Sequence, residues 1–204
     1  MDNQEQLHSN METGHVPQHL NHSAHEMLDV REVLLNSVNT MNQYTMLRQY
    51  VKDQELLDIM DRQNRFMQEE YNITLDCLKS GQDPYKPTQS YKMKESNDVI
   101  YGLKDTEPVT PIQSQSDISD QTVSSCILGS LKAGAAMKTM ASLESSNPVV
   151  RRVLADSLPN CIEMAYEVSL YQNKRHYYQM PQFPENDMRK LANEFAPVKG
   201  QSLQ

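Results

Sequence analysis

Between two blocks of helical sequence, residues 82–118 form a long break. Pro84, Pro87, Pro108 and Pro111 lie there among Ser, Gln, Lys and Thr, and no apolar period is sustained. Proline removes a backbone donor and blocks the preceding helical turn, so the stretch reads as a crossover loop with at most one short turn near Asn97–Leu103. Its length decides the topology. An extended chain covers about 3.3 Å per residue, enough here to travel the whole of a helix about 40 Å long. The helix after the break can therefore run parallel to the helix before it.

The first block, residues 23–81, predicts two helices. Ser23-Ala24-His25-Glu26 reads as a capping box, in which the Ser23 hydroxyl accepts from the Glu26 N–H and the Glu26 carboxylate accepts from the Ser23 N–H. Met27, Val30, Leu34, Val38, Met41 and Thr45 follow at steps of three and four. That spacing lines one face of a helix, expected to reach about Tyr50. Asp53 caps a second helix, with Glu55 in its positive first turn. Leu56, Ile59, Met60, Phe66, Met67 and Ile73 hold its period until Gly81 and Asp83-Pro84 end it. A connection of a few residues near Lys52 makes the pair antiparallel.

The second block, residues 119–182, predicts another pair. A helix starting near Ser119-Asp120 carries Val123, Ile127, Leu131 and Met137, and Gly129, Ala133, Gly134, Ala135 and Ala136 thin it for close approach by a neighbour. Asn147-Pro148 supplies a cap followed by proline at the first helical position. Val150, Leu154, Leu158, Cys161, Ile162, Ala165 and Val168 line the fourth helix, which Pro159 is expected to kink. The flanks differ. Residues 1–22 are a His- and Gln-rich tail expected to lack fixed structure, and 183–204 are a C-terminal tail with a short amphipathic turn at Asp187–Phe195. Two hairpins joined by one long crossover give an all-α, ferritin-like four-helix bundle.

Such a bundle holds a dinuclear metal centre when two of its helices carry Glu-x-x-His, because side chains at i and i+3 share a face. None of the four predicted helices contains that pair. The second offers Asp61…Asn64 and Glu70…Ile73, and the fourth offers Glu163…Tyr166 and Glu167…Leu170. Glu69, Glu70, Glu163 and Glu167 read as solvated faces rather than as a carboxylate-only site. The tail groups His8, His15, His19, His22 and His25. His15, His19 and His22 are weak candidates for Zn²⁺, Ni²⁺ or Cu²⁺, but Gly14 and Pro17 oppose the helix that would align them, and the bland reading is a polar, pH-sensitive arm.

Other chemistry is not signalled. The chain has no Gly-rich phosphate loop, no GxSxG and no Cys beside a base in one local motif, so neither a catalytic residue nor a cofactor is expected. Cys77, Cys126 and Cys161 read as small buried hydrophobes, and Met41, Met46, Met60, Met67, Met137, Met140 and Met164 as core filler. A net charge of −8 without a Lys/Arg stripe disfavours nucleic acid as a partner. No apolar run is long enough to span a bilayer, and no secretory signal is visible, so synthesis in a cytoplasm is expected. Tyr166, Tyr171, Tyr177 and Tyr178 gather on and just beyond the fourth helix. They suit a protein–protein contact at the bundle end, with half-buried core positions an equal alternative.

At Ile127–Ala136 (ILGSLKAGAA), Asn147–Leu158 (NPVVRRVLADSL) and Tyr171–Phe183 (YQNKRHYYQMPQF) the chain resembles the spore coat protein F family of endospore-forming bacteria. The resemblance spans about residues 119–183, and residues 25–80 look like the N-terminal hairpin of longer members. Lys174-Arg175-His176 stands before Tyr177-Tyr178 where members often have a Gly-aromatic-Tyr exit. The resemblance implies a ferritin-like bundle without its metal centre, made in the mother cell and deposited in the spore coat, with other coat proteins and copies of itself as partners. It carries over no catalytic residues. Exposed Tyr85, Tyr91, Lys86, Lys92, Gln179 and Gln182 are composition-based candidates for cross-linking, and the 82–118 loop for proteolytic cleavage.

Overall fold

A computed structural model describes residues 21–198. Among them are five α-helices: α1 (Ala24–Leu47), α2 (Gln54–Ser80), α3 (Asp120–Glu144), α4 (Pro148–Lys174) and α5 (Glu185–Ala192). The tail histidines His8, His15 and His19 lie outside the described residues.

Local signals fix the helix ends. Asp53 accepts from the Glu55 N–H at 2.9 Å at the head of α2. Asn147 accepts from the N–H groups of Val149 and Val150, with Pro148 at the first helical position. Gly81 closes α2 at φ 65°, the left-handed conformation that a Cβ disfavours. The capping box at α1 is only half formed. Ser23 accepts the Glu26 N–H at 3.1 Å, but its own N–H goes to Ser146 Oγ. The buried Glu26 carboxylate instead accepts from Ser146 N, Ser146 Oγ and Asn147 N at 2.8, 2.6 and 2.8 Å. A local cap has become a clasp between α1 and the α3–α4 turn.

Contacts at the two ends set the direction of every helix. One end joins the start of α1 to the α3–α4 turn, and Asn147 Nδ2 donates to Gly81 O at the end of α2. At the other, the Lys52 N–H donates to Asp120, and Arg175 pairs with Asp53. The chain thus runs up, down, down and up through α1 to α4. Packing is α1 on α2 and α3, and α4 on α2 and α3, so all packed neighbours are antiparallel and the parallel α2 and α3 face each other diagonally. This is a four-helix bundle with one long crossover between α2 and α3. Small residues serve the α1–α3 contact: a Cβ on Gly134 would meet Asn36 Nδ2 at 2.9 Å, whereas Gly129 faces open space.

Four expectations need correction. On α1 the core-facing line is Glu26, Val30, Val33, Thr40 and Tyr44; of the expected stripe Val30 is buried and Leu34 and Met41 pack partly against the core, but Met27 and Thr45 are exposed, because the neighbours choose the buried face. Met46, Met137 and Met140 are exposed rather than core filler, and Cys126 is exposed while Cys77 and Cys161 are buried. The single turn of the crossover lies at Gln115–Asp117, not at Asn97–Leu103.

Candidate functional site

Two apolar clusters fill the bundle. One is centred on Leu56, Ile59, Ile127, Met164 and Val168, the other on Val30, Ile73, Val150 and Leu154. A polar layer bridges them. Glu70 of α2, read from sequence as a solvated face, is buried and takes Lys138 Nζ of α3 at 2.9 Å on one oxygen. Its other oxygen accepts Asn160 Nδ2 at 2.6 Å. Burial alone would lower the Lys138 pKa, but the Glu70 carboxylate outweighs it and holds the ammonium charged. A cavity of about 30 Å³ beside the pair, lined among others by Thr40, Glu70, Lys138 and Cys161, has room for no more than one or two waters. Burial pushes the Cys161 thiol up, so it stays protonated and unreactive.

Glu167 is a further buried carboxylate, and it too departs from the solvated reading. One oxygen accepts from Arg62 at 2.8 Å and from the Lys94 N–H at 3.0 Å. The other accepts from Gln63 Nε2 at 3.0 Å and Tyr91 Oη at 2.5 Å. Tyr44 Oη donates to Gln63 Oε1. Burial drives both phenols upward, reinforced by the neighbouring carboxylate, which keeps them as donors. Of the other two glutamates, Glu69 is exposed and Glu163 half-buried. Glu70 and Glu167 already have cations and donors from this chain on their oxygens, and among the described residues no group of three His, Cys, Asp or Glu converges to hold a metal ion. The chemistry of the layer is cohesion.

What it coheres includes the crossover. Along α4, Asn160, Glu167 and Asn173 each grip the backbone of the segment lying over them. Asn160 accepts the Tyr91 N–H at 2.8 Å and donates to Gln89 O. Glu167 takes the Lys94 N–H, and Asn173 both accepts from Ile100 N and donates to Ile100 O, at 2.7 and 2.9 Å. Tyr91 adds an edge-on ring contact with Phe66 at 5.2 Å. The crossover is a strap laid in the α2–α4 groove. Sequence reading missed these residues, although one signal was present: Asn160 and Glu167 continue the seven-residue step from buried Val153.

The tyrosines divide. Tyr171 is fully buried, stacked under Arg175 at 3.9 Å, with its hydroxyl on Asp53; it belongs to the core. Tyr166 and Tyr177 are half-buried, and Tyr178 is exposed with Lys132 over its ring at 5.1 Å. Of the cross-linking candidates, Tyr91 is buried, whereas Tyr85, Lys86, Lys92 and Gln182 are exposed and Gln179 is half-buried. Around Arg175 and Lys174 a charged cluster with Asp53, Glu55 and Glu95 ties α4 to the head of α2 and to the strap. His22, the described member of the weak metal trio, holds Glu26 through Nδ1 at 2.7 Å. No described helix is long and apolar enough to cross a membrane.

Comparison with known proteins adds the family. Residues 119–181, the second hairpin with its exit, match the Coat F domain. The spore coat protein F-like protein YhcQ of Bacillus subtilis (strain 168) is 50% identical over 177 residues, 87% of this chain and 82% of that one. A crystal structure of a provisionally named spore coat protein of Bacillus halodurans C-125 shares the fold, with a TM-score of 0.59 at 15% identity over 83% of this chain and 99% of the other. With identity at that level across most of both sequences, and the domain model matching where α3 and α4 pack, this chain belongs to the coat F family of spore coat proteins.

Proposed function

We propose that the protein is a structural component of the bacterial endospore coat, made in the mother cell and acting through protein–protein contacts rather than catalysis. The observation that carries the reading is the half-identical relative named as spore coat protein F-like. The interior supports it, since its buried charges are spent on holding helices and strap together. Contacts would be made by the outside of the molecule, where Tyr166, Tyr177 and Tyr178 cluster around the end of α4. Tyr171 drops out of that set because it is buried.

The test is a fluorescent fusion followed through sporulation of an endospore-forming host. Fluorescence gathering as a shell around the forespore is expected. A signal that stays diffuse in the vegetative cytoplasm would overturn the reading, as would two Fe or Mn per chain retained through dialysis. Tyr178→Ala, on an exposed ring, should weaken deposition several-fold while leaving the thermal midpoint within a few degrees.

A further inference from the structure

Two apolar surfaces among the described residues stand out, a groove on one helix pair and a short helix beyond the bundle. The first is a groove of about 410 Å³ on the outer side of the α1–α2 pair. Leu28, Leu35 and Val38 of α1 face Tyr71 and Leu78 of α2 across it, and Arg31 is its charged residue. Leu28 is 62% exposed and Leu35 42% exposed. The second is α5, an eight-residue helix none of whose residues is buried. Met188 and Leu191 lie on one side of it and Phe195 follows just beyond the closing turn; Leu191 is 49% and Phe195 81% exposed. Asp187 borders that side by helical geometry, and Glu194 stands in the turn that follows the helix.

In this structure the α5 of the same chain does not fill the groove, since none of its residues is buried. Met180 is held beside Tyr101 by a bridge, and the Gly102 N–H donates to Met180 O. The neighbouring Ile100 is gripped by Asn173 in the last turn of α4, which places Met180 at the upper end of the bundle. From there to Glu185 the chain extends at most about 17 Å. The groove is centred near Leu35, about 18 Å down α1 from its upper end at the helical rise per residue, and α1 stands diagonally across the bundle from α4. Seating α5 in the groove of its own chain would need that tether drawn nearly straight across the bundle, a constraint that a second copy does not meet.

We propose that α5 of one copy seats in the α1–α2 groove of a second copy, with Met188, Leu191 and Phe195 as anchors. The Met188–Leu191 spacing of three is one by which an amphipathic helix enters an apolar groove. Charge agrees with shape. Arg31 meets Asp187 and Glu194, and the exposed ion pairs left behind, Arg31–Glu32 and Asp187–Lys190, cost little to exchange. The contact is head-to-tail, so every added copy presents a fresh groove and a fresh helix. It gives the assembly role proposed above a partner, and rests on that reading for its purpose alone.

The test uses the full chain, purified, in sedimentation over a concentration series. The wild type is expected to self-associate. Leu35→Glu, which spoils the groove, and Leu191→Glu, which spoils the helix, should each weaken association at least tenfold with an unchanged helical spectrum. Mixed in equal amounts they should form a one-to-one dimer and stop, since one groove and one helix remain. Met140→Glu, in a separate dent between α1 and α3, should assemble as the wild type does. Should Leu35→Glu fail to fold, Arg31→Glu and its rescue by Asp187→Arg read the same contact. A wild type that stays monomeric at several hundred micromolar, groove and helix variants that assemble normally, or a mixture that remains monomeric would each overturn the inference. A monomeric protein whose fusion still coats the forespore would do so while leaving the coat reading intact.

Discussion

Replacing Lys138 by Met would strand the Glu70 carboxylate between two apolar clusters, and breaking a buried pair from one side costs about 3–5 kcal/mol. Adding Glu70→Leu should recover most of that loss, so the double variant is expected to unfold in urea nearer the wild type than either single one. The thiols give a second prediction. Burial, with Asp76 and Asp83 nearby, pushes Cys77 up to about 12, and Cys161 is also raised. At pH 8 a thiol reagent should therefore modify Cys126 alone in the native protein and all three cysteines after unfolding. Acid gives a third. Burial tends to raise Asp53 and Glu55, but the Glu55 N–H and Arg175 on the first, and Arg175 and Lys174 on the second, hold both below the ordinary carboxylate range. The unfolded chain takes up those protons first, near pH 4, so stability is full above that range and falls as pH drops through the folded values. Arg175→Met should flatten this part of the decline in urea midpoints between pH 6 and pH 2.5. None of these pairings could be read along the chain: Glu70 and Lys138 are 68 residues apart, and only the fold brings them together.

At the scale of the element, the strap depends on three side chains of α4. Asn160→Ala would leave the buried Tyr91 N–H without its acceptor, a loss of about 1–3 kcal/mol. Limited proteolysis should then cut within 89–101 at least several-fold faster, whereas Gln182→Ala on the exposed tail should change nothing. The helices themselves were largely legible because their signals are local: Asp53, Gly81 and Asn147-Pro148 act within one turn of where they stand. The facing of α1 was not. Met27 and Thr45 of its expected stripe are exposed, while the buried line carries Glu26 and Thr40, since a helix turns toward whatever its neighbours can satisfy. Glu167 was misread for the same reason, its donors coming from α2 and from the strap.

For the molecule as a whole, the crossover's length foretold that α2 and α3 would run parallel, and the end contacts bear this out. Its pinning to α4 was not foretold, because an irregular segment has no period to betray it. The pinning stops near Lys104, and residues 105–113 are exposed. A protease site engineered there should be cut readily. The halves should nevertheless elute together at the intact size and part only in denaturant, held by Glu26 on the α3–α4 turn, Glu70 on Lys138 and the strap on α4. Covalent continuity through the middle of the chain is then dispensable once folding is done. A shell tiled from such subunits could be nicked at every exposed tip and keep its shape.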